Sequence, residues 1–290
     1  MSTVNDQSEK KTPTGVQPMI ASVVLFTLGH AAVKWVPHIP FYQLVFLRAA
    51  ITAIICIVYL KRQKISIKGN NLKLLFVRGL AGTCALLAYF YSLQHMPLAS
   101  AVTLQYLSPI LTIIVAYFLL NEKVTKFQSY CFALAFIGVL MVKGFDDRIT
   151  LFELSVSLFS VVASAFAYNF VRMLRKTDHE MIVVLYFPLV TLPIVTPFAL
   201  NDWVTPSLRD WMYILVIGVF TQIAQYLMTI SYHRQKAADI AIYNYLGIII
   251  AVAIGYYFFN EGFSLLSVAG MILIMSSLVL SGKKKKPALQ

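Results

Sequence analysis

Apolar residues fall into ten long runs separated by short polar breaks. The runs cover 18–36, 41–60, 72–94, 98–120, 126–142, 153–172, 181–199, 210–232, 237–259 and 264–281. Each approaches the roughly 20 residues a helix needs to cross a hydrocarbon layer about 30 Å thick. None alternates between apolar and polar positions as a barrel strand does. A spanning segment must satisfy its own backbone hydrogen bonds, so the pattern predicts an all-α membrane protein of ten transmembrane helices. The breaks leave no room for a folded soluble domain. Residues 1–17 are polar and 282–290 basic, and both are expected as cytoplasmic tails, the first of them disordered.

One block of the pattern occurs twice. Leu98 to Glu122 returns without a gap 139 positions later, as Ala237 to Glu261. Ala99, Tyr106, Leu107, Tyr117, Asn121 and Glu122 fall on Ala238, Tyr245, Leu246, Tyr256, Asn260 and Glu261, and the amide Gln105 falls on the amide Asn244. The chain therefore divides into a first five-helix repeat at 18–142 and a second at 153–281. Five spans per repeat is an odd number, so the second repeat lies upside down relative to the first. Such an inverted repeat around a central cavity suits alternating access.

Composition agrees with a lipid surrounding: 59% of residues are hydrophobic and 12% charged, and the mean hydropathy is +0.75. No small-residue cleavage site follows the first run, which reads as a retained helix. The net charge of +12 raises nucleic acid as a partner, and its distribution argues against that. With the N-terminus inside, nineteen of the 24 Lys and Arg lie on inner segments or inner helix ends. This is the positive-inside pattern, and it places both termini in the cytoplasm. The basic run Lys283–Lys286 could also touch anionic lipid head groups. Cys56, Cys84 and Cys131 all fall inside predicted helices without CxxC spacing, which suits packing residues better than a disulfide framework or metal site. No P-loop, GxSxG or HExxH motif occurs, so neither direct ATP hydrolysis nor an enzyme is expected, and no cofactor or metal.

The stretches ASAVTLQYLSPILTIIVAYFLLNEKVT (Ala99–Thr125) and ADIAIYNYLGIIIAVAIGYYFFNEGFS (Ala238–Ser264) resemble the drug/metabolite transporter superfamily, specifically its EamA-type ten-helix members. Arg48 in FLRA and the pair Arg78-Gly79 are similar to further family positions. The resemblance spans essentially everything after residue 17. It implies a basket of two inverted repeats around a cavity that moves small metabolites. Ile248 stands where the first copy has Pro109, so any proline kink is confined to one half.

Few polar positions are buried deeply enough to touch a solute. Gln105 and Tyr106 lie about 10–12 Å in from the outer end of the fourth helix, and Asn244 and Tyr245 equally far from the inner end of the ninth. The two pairs bracket the bilayer centre. An unpaired amide in lipid is costly, which favours cavity lining for Gln105 and Asn244. The small residues around them, Ser108, Gly247, Thr112 and Ala251, read as close packing. The eighth helix is the most polar, with Gln222, Gln225, Tyr226, Thr229 and His233 on one face; either it supplies substrate contacts, making the second half the richer one, or it is a polar helix seam. Ser157, Ser160, Ser164 and Tyr168, with Asn169 adjacent, form a similar face on the sixth. Tyr89, Tyr106, Tyr168, Tyr226, Tyr243 and Tyr245 offer an aromatic lining with hydroxyl handles, about half of them inside a cavity. His30 is a packing residue or a ligand contact. Arg48, the deepest clear charge, either faces substrate or ties helix ends together; Arg78 and Lys34 are expected to snorkel toward the interfaces. Glu122 and Glu261 read as partners of helix N-termini. No helix interior carries Asp or Glu, which disfavours proton antiport of cationic drugs.

The resulting expectation is a secondary transporter or facilitator of a small organic metabolite, an amino acid or similar zwitterion first. Uptake of S-adenosylmethionine or a nucleoside-like metabolite is the nearest rival, and a lipid scramblase the alternative of another class. The expected partners are a small-molecule solute and membrane lipid, without nucleic acid or an obligate protein. The expected setting is a bacterial cytoplasmic membrane.

Overall fold

The computed structural model describes residues 15–120, 126–144, 147–234, 243 and 245–283. Among these it is entirely helical: α1 (Val16–Lys34), α2 (Phe41–Arg62), α3 (Leu72–His95), α4 (Leu98–Gln105), α5 (Ser108–Leu120), α6 (Lys126–Gly144), α7 (Leu151–Leu174), α8 (Glu180–Asn201), α9 (Leu208–Arg234), α10 (Tyr245–Phe259) and α11 (Leu265–Lys283). Taking α4 and α5 together, seven passages are long and apolar enough to cross a membrane by themselves. Helices α6, α10 and α11 carry the shorter apolar stretches Ser129–Val142, Leu246–Phe259 and Leu265–Ser277. Large apolar side chains such as Phe118, Phe136, Ile249 and Phe258 stay exposed, a surface that suits contact with lipid.

The expected fourth helix is broken. Tyr106 N–H reaches Val102 O at 3.1 Å, Leu107 N–H turns back more tightly to Leu104 O at 2.9 Å, and Leu111 N–H then returns to Leu107 O at 3.0 Å. Pro109 has no N–H to offer the carbonyl of Gln105, so the ladder cannot run through. The two residues at the break, Tyr106 and Leu107, are both part of the repeated block.

Helix packing obeys the exchange of halves. The most extensive contacts are α1 with α9 and α3 with α7, the first and eighth spans and their images, the sixth and third. Helices α2 with α8 and α6 with α11 also pack extensively, and each of these pairs is its own image. The remaining strong pairs match too: α3 with α8 answers α2 with α9, and α5 with α7 answers α1 with α10. A sequence duplicated in this way therefore folds into two five-helix repeats of opposite sense.

Loop ties follow the same exchange. At one end, Gln43 Nε2 donates to Val204 O at 2.7 Å and Val204 N–H donates to Gln43 Oε1 at 2.9 Å. At the other, Asn70 N–H and Asn71 N–H donate to the Asp178 carboxylate at 2.6 and 3.4 Å. In each case the start of the second helix of one repeat holds a loop of the other. Several helix starts are capped locally. Thr150 and Glu153 form a capping box on α7, His179 caps α8, and Ser207 and Asp210 exchange bonds at the start of α9; each satisfies N–H groups that a helix start leaves unpaired.

Candidate functional site

A cavity with about 960 Å³ of empty space, part of it open to solvent, lies between the two halves, walled by α1, α2, α3, α4, α5, α7, α8 and α9. Its lining runs from Met19 near the start of α1 and Tyr232 near the end of α9 to His30, Tyr89 and Gln105. It therefore occupies the part of the bundle nearer the two chain ends and stops a turn or two short of the opposite face.

Helix α3 sets the width of the cavity with two glycines. A Cβ on Gly79 would lie 2.9 Å from Val190 Cβ and 3.0 Å from Tyr186 O, so bare backbone brings α8 close. A Cβ on Gly82 would lie 3.0 Å from Phe187 Cδ2 and 3.4 Å from Arg78 Nη1. The Phe187 ring thereby reaches the cavity beside two guanidinium groups, with its centroid 5.6 Å from Arg48 Cζ and 5.4 Å from Arg78 Cζ. Arg48 also stacks over Phe90 at 5.8 Å and donates from Nε to Thr221 Oγ1 at 2.6 Å.

On α4, Gln105 stands in the cavity wall with its amide oriented by α7. Its Nε2 donates to Ser164 Oγ at 2.8 Å, and Ser160 Oγ lies 3.1 Å from its Oε1. Tyr106 enters the same wall, its hydroxyl lying where a Cβ on Gly247 would otherwise sit. Tyr168 stacks on Tyr232 at 5.5 Å, and His30 is held edge-on by Tyr89 at 4.8 Å, with Nδ1 3.2 Å from the tyrosine hydroxyl. Of the residues expected at a solute site, Gln105, Tyr106, Tyr168, His30, Arg48 and Gln225 line this cavity.

Three others do not reach it. Asn169 is fully buried and donates to Thr112 O and Ala165 O, both at 2.9 Å. Gln222 turns to α2 and donates to Cys56 Sγ at 3.2 Å. Tyr226 packs beside Tyr59. Asn244 and the side chain of Tyr245 lie outside the described residues. The eighth-span polar face thus serves largely as a helix seam, with Gln222 and Thr221 both spent on α2. Among the described residues, two-thirds of the lining comes from the first half rather than the second.

Two further expectations are corrected. Arg78 does not snorkel: it is 4% exposed and faces the cavity. Its distance from the helix end is short, yet the face it occupies is turned inward toward α8. Lys34 does not snorkel either. It bonds Met96 O at 2.9 Å and pairs with Glu261. Tyr232, Phe187 and Met228 were not singled out by sequence; helical spacing from Gln225 to Met228 and Tyr232 is the signal that would have found two of them.

Opposite the chain ends, Glu261 ties the end of α10 to the start of α4 and the end of α1. Asn260 adopts a left-handed conformation, φ 50°, which Asn tolerates better than most side chains. Glu261 N–H returns to Gly255 O at 2.9 Å, and both carboxylate oxygens accept from Leu98 N–H at 2.9 Å. The carboxylate thus caps α4 of the other half, rather than its own following helix, while Lys34 neutralises it. The repeated Asn-Glu pair is in this copy a turn plus a cap.

Comparisons with known proteins agree with this architecture. A solved crystal structure superposes with a TM-score of 0.70 at 17% identity, covering 92% of this chain and 96% of its own; at that identity it speaks for the fold alone. The protein named pseudopaline exporter CntI of Pseudomonas aeruginosa is 29% identical over 276 residues, 94% of this chain and 97% of that protein. Human solute carrier family 35 member G1 is 25% identical over 293 residues, 93% and 80% of the two chains. The chain is a multi-pass integral membrane transporter rather than an enzyme. With the family pattern matched twice, at residues 13–144 and 151–282, the chain belongs to the EamA-like transporter family.

Proposed function

We propose that the chain is a secondary transporter or facilitator of a small organic metabolite in a bacterial cytoplasmic membrane, working by alternating access with both termini inside. The observation that carries this reading is the cavity between the two inverted halves, largely apolar with a few convergent polar side chains, with Glu261, Lys34 and Leu98 tied together beyond one end of it. A cavity placed toward the chain ends is in the loading position for export from the cytoplasm. The likeness to a protein named as an exporter supports the same direction. An amino acid or related zwitterion remains the first substrate class, because the lining offers amides, tyrosines and guanidinium groups. The Tyr168–Tyr232 stack supports a nucleoside-like metabolite as the second reading.

Uptake and efflux of a labelled metabolite panel in proteoliposomes, with and without a pH gradient, test the proposal. Transport of at least one panel member is expected, together with an effect of about tenfold from Gln105→Ala or Gln225→Ala at unchanged expression. Lipid flipping without solute transport would favour the scramblase and sink this reading.

A further inference from the structure

We propose that the transported molecule carries an anionic group, a carboxylate or a phosphate, and that Arg48 and Arg78 form the subsite that holds it. The inference rests on the transporter reading and names its substrate class. Both arginines are 4% exposed and line the cavity, and among the described residues none of its lining is Asp or Glu. Among the described residues, no ion pair involves either of them. Arg48 spends Nε on Thr221, which leaves its paired terminal nitrogens for a ligand. On Arg78, Nε and Nη1 are buried without any hydrogen-bond partner.

Removing a cation from water costs more than an aromatic face returns. The shared Phe187 ring therefore does not compensate two guanidinium groups, and something else must. Since each Cζ lies within 5.6 Å of the same ring centroid, the two carbons are at most about 11 Å apart, close enough for one small molecule to meet both. A planar guanidinium presents parallel N–H donors that match carboxylate and phosphate oxygens two at a time. Gly82 contributes by what it lacks, since a Cβ there would crowd Arg78 Nη1 and the Phe187 ring together. A zwitterion would be anchored by its acid end, with its ammonium against the Tyr89 ring and the neutral side-chain oxygens of Tyr89 and Gln105. A purely cationic solute meets two like charges and is rejected.

The test begins without any ligand. In purified full-length protein, Arg78→Met is expected to unfold at the same temperature as the parent or higher, because it removes a charge the empty cavity does not satisfy. A fall of about 5 °C or more would identify Arg78 as a structural tie and overturn the proposal. Proteoliposome transport then compares matched probes: phenylalanine with its amide and with phenylethylamine, succinate with succinamide, and adenosine monophosphate with adenosine. Transported members are expected to be the acids, with each uncharged or cationic counterpart at least tenfold weaker, and the carboxylate and phosphate pairs separate the two anion sources. Arg78→Met should lose at least tenfold in transport, and Arg78→Lys should recover part of it. Neutral or cationic probes carried as well as their acids, with Arg78→Met unchanged, would overturn the anion assignment and leave the transporter reading intact. Lipid flipping with no probe carried would overturn both.

Discussion

Glu261 sits 4% exposed and has three claims on it, the Leu98 N–H, the Lys34 ammonium and its own turn after Asn260. Removing one partner of a buried charged pair leaves the other unpaired and typically costs about 3–5 kcal/mol. Glu261→Ala is therefore expected to lower stability by about that amount, read from denaturant or thermal unfolding in detergent; a change under about 1 kcal/mol would mean the pair behaves as a surface contact. Arg78 shows the complementary case, a buried charge whose partner is missing. Sequence placed both residues at helix ends and could not tell them apart, because distance from a helix end measures depth and says nothing of the direction a side chain faces. Glu261 was legible as a helix partner because Asn-Glu recurs, yet which helix it caps depends on a fold that brings the starts of α4 and the end of α10 together.

Glycines separate two kinds of helix contact. A Cβ on Gly138 would lie 2.8 Å from Gly270 O and 3.1 Å from Ile274 N, so α6 and α11 meet backbone to backbone and neither can give way locally. Gly138→Ala is expected to destabilise by about 1–3 kcal/mol. At Gly247 the obstacle is the hydroxyl end of Tyr106, a side chain that can rotate. Gly247→Ala should cost under about 1 kcal/mol but move Tyr106 out of the cavity wall and change transport kinetics. Equal losses of stability in the two variants would contradict this distinction. Helix existence and limits were readable from hydropathy because lipid allows only helices and closed barrels to span it, and the apolar runs do not alternate as barrel strands do. The break at Tyr106–Leu107 was readable from Pro109. The use of α9 was not: Gln222, Gln225 and Tyr226 share one stripe, and only the packing of α2 against it decides that Gln222 bonds Cys56 while Gln225 faces the cavity.

For the whole molecule, the repeat makes a statement about motion. The closure built from Glu261 and Leu98 has sequence images in Glu122 and Ala237, 139 positions earlier and later respectively. Under the alternating access proposed above, the two faces of an inverted repeat exchange when the halves rock, so a closure on one side would have an equivalent closure for the alternate state on the other. Weakening one closure should shift the equilibrium toward opening on its own side, by no more than the free energy that closure contributes. A reporter thiol at Met228, which lines the cavity, would read this against a background free of the three native cysteines. In the parent it should react with an impermeant thiol reagent mainly from the side of the chain ends. Glu261→Gln should raise labelling from the opposite side, and Glu122→Gln should reduce it. If both variants changed labelling in the same direction, the two Asn-Glu pairs would be local caps with no part in sidedness, and the symmetry of the fold would not extend to its working cycle.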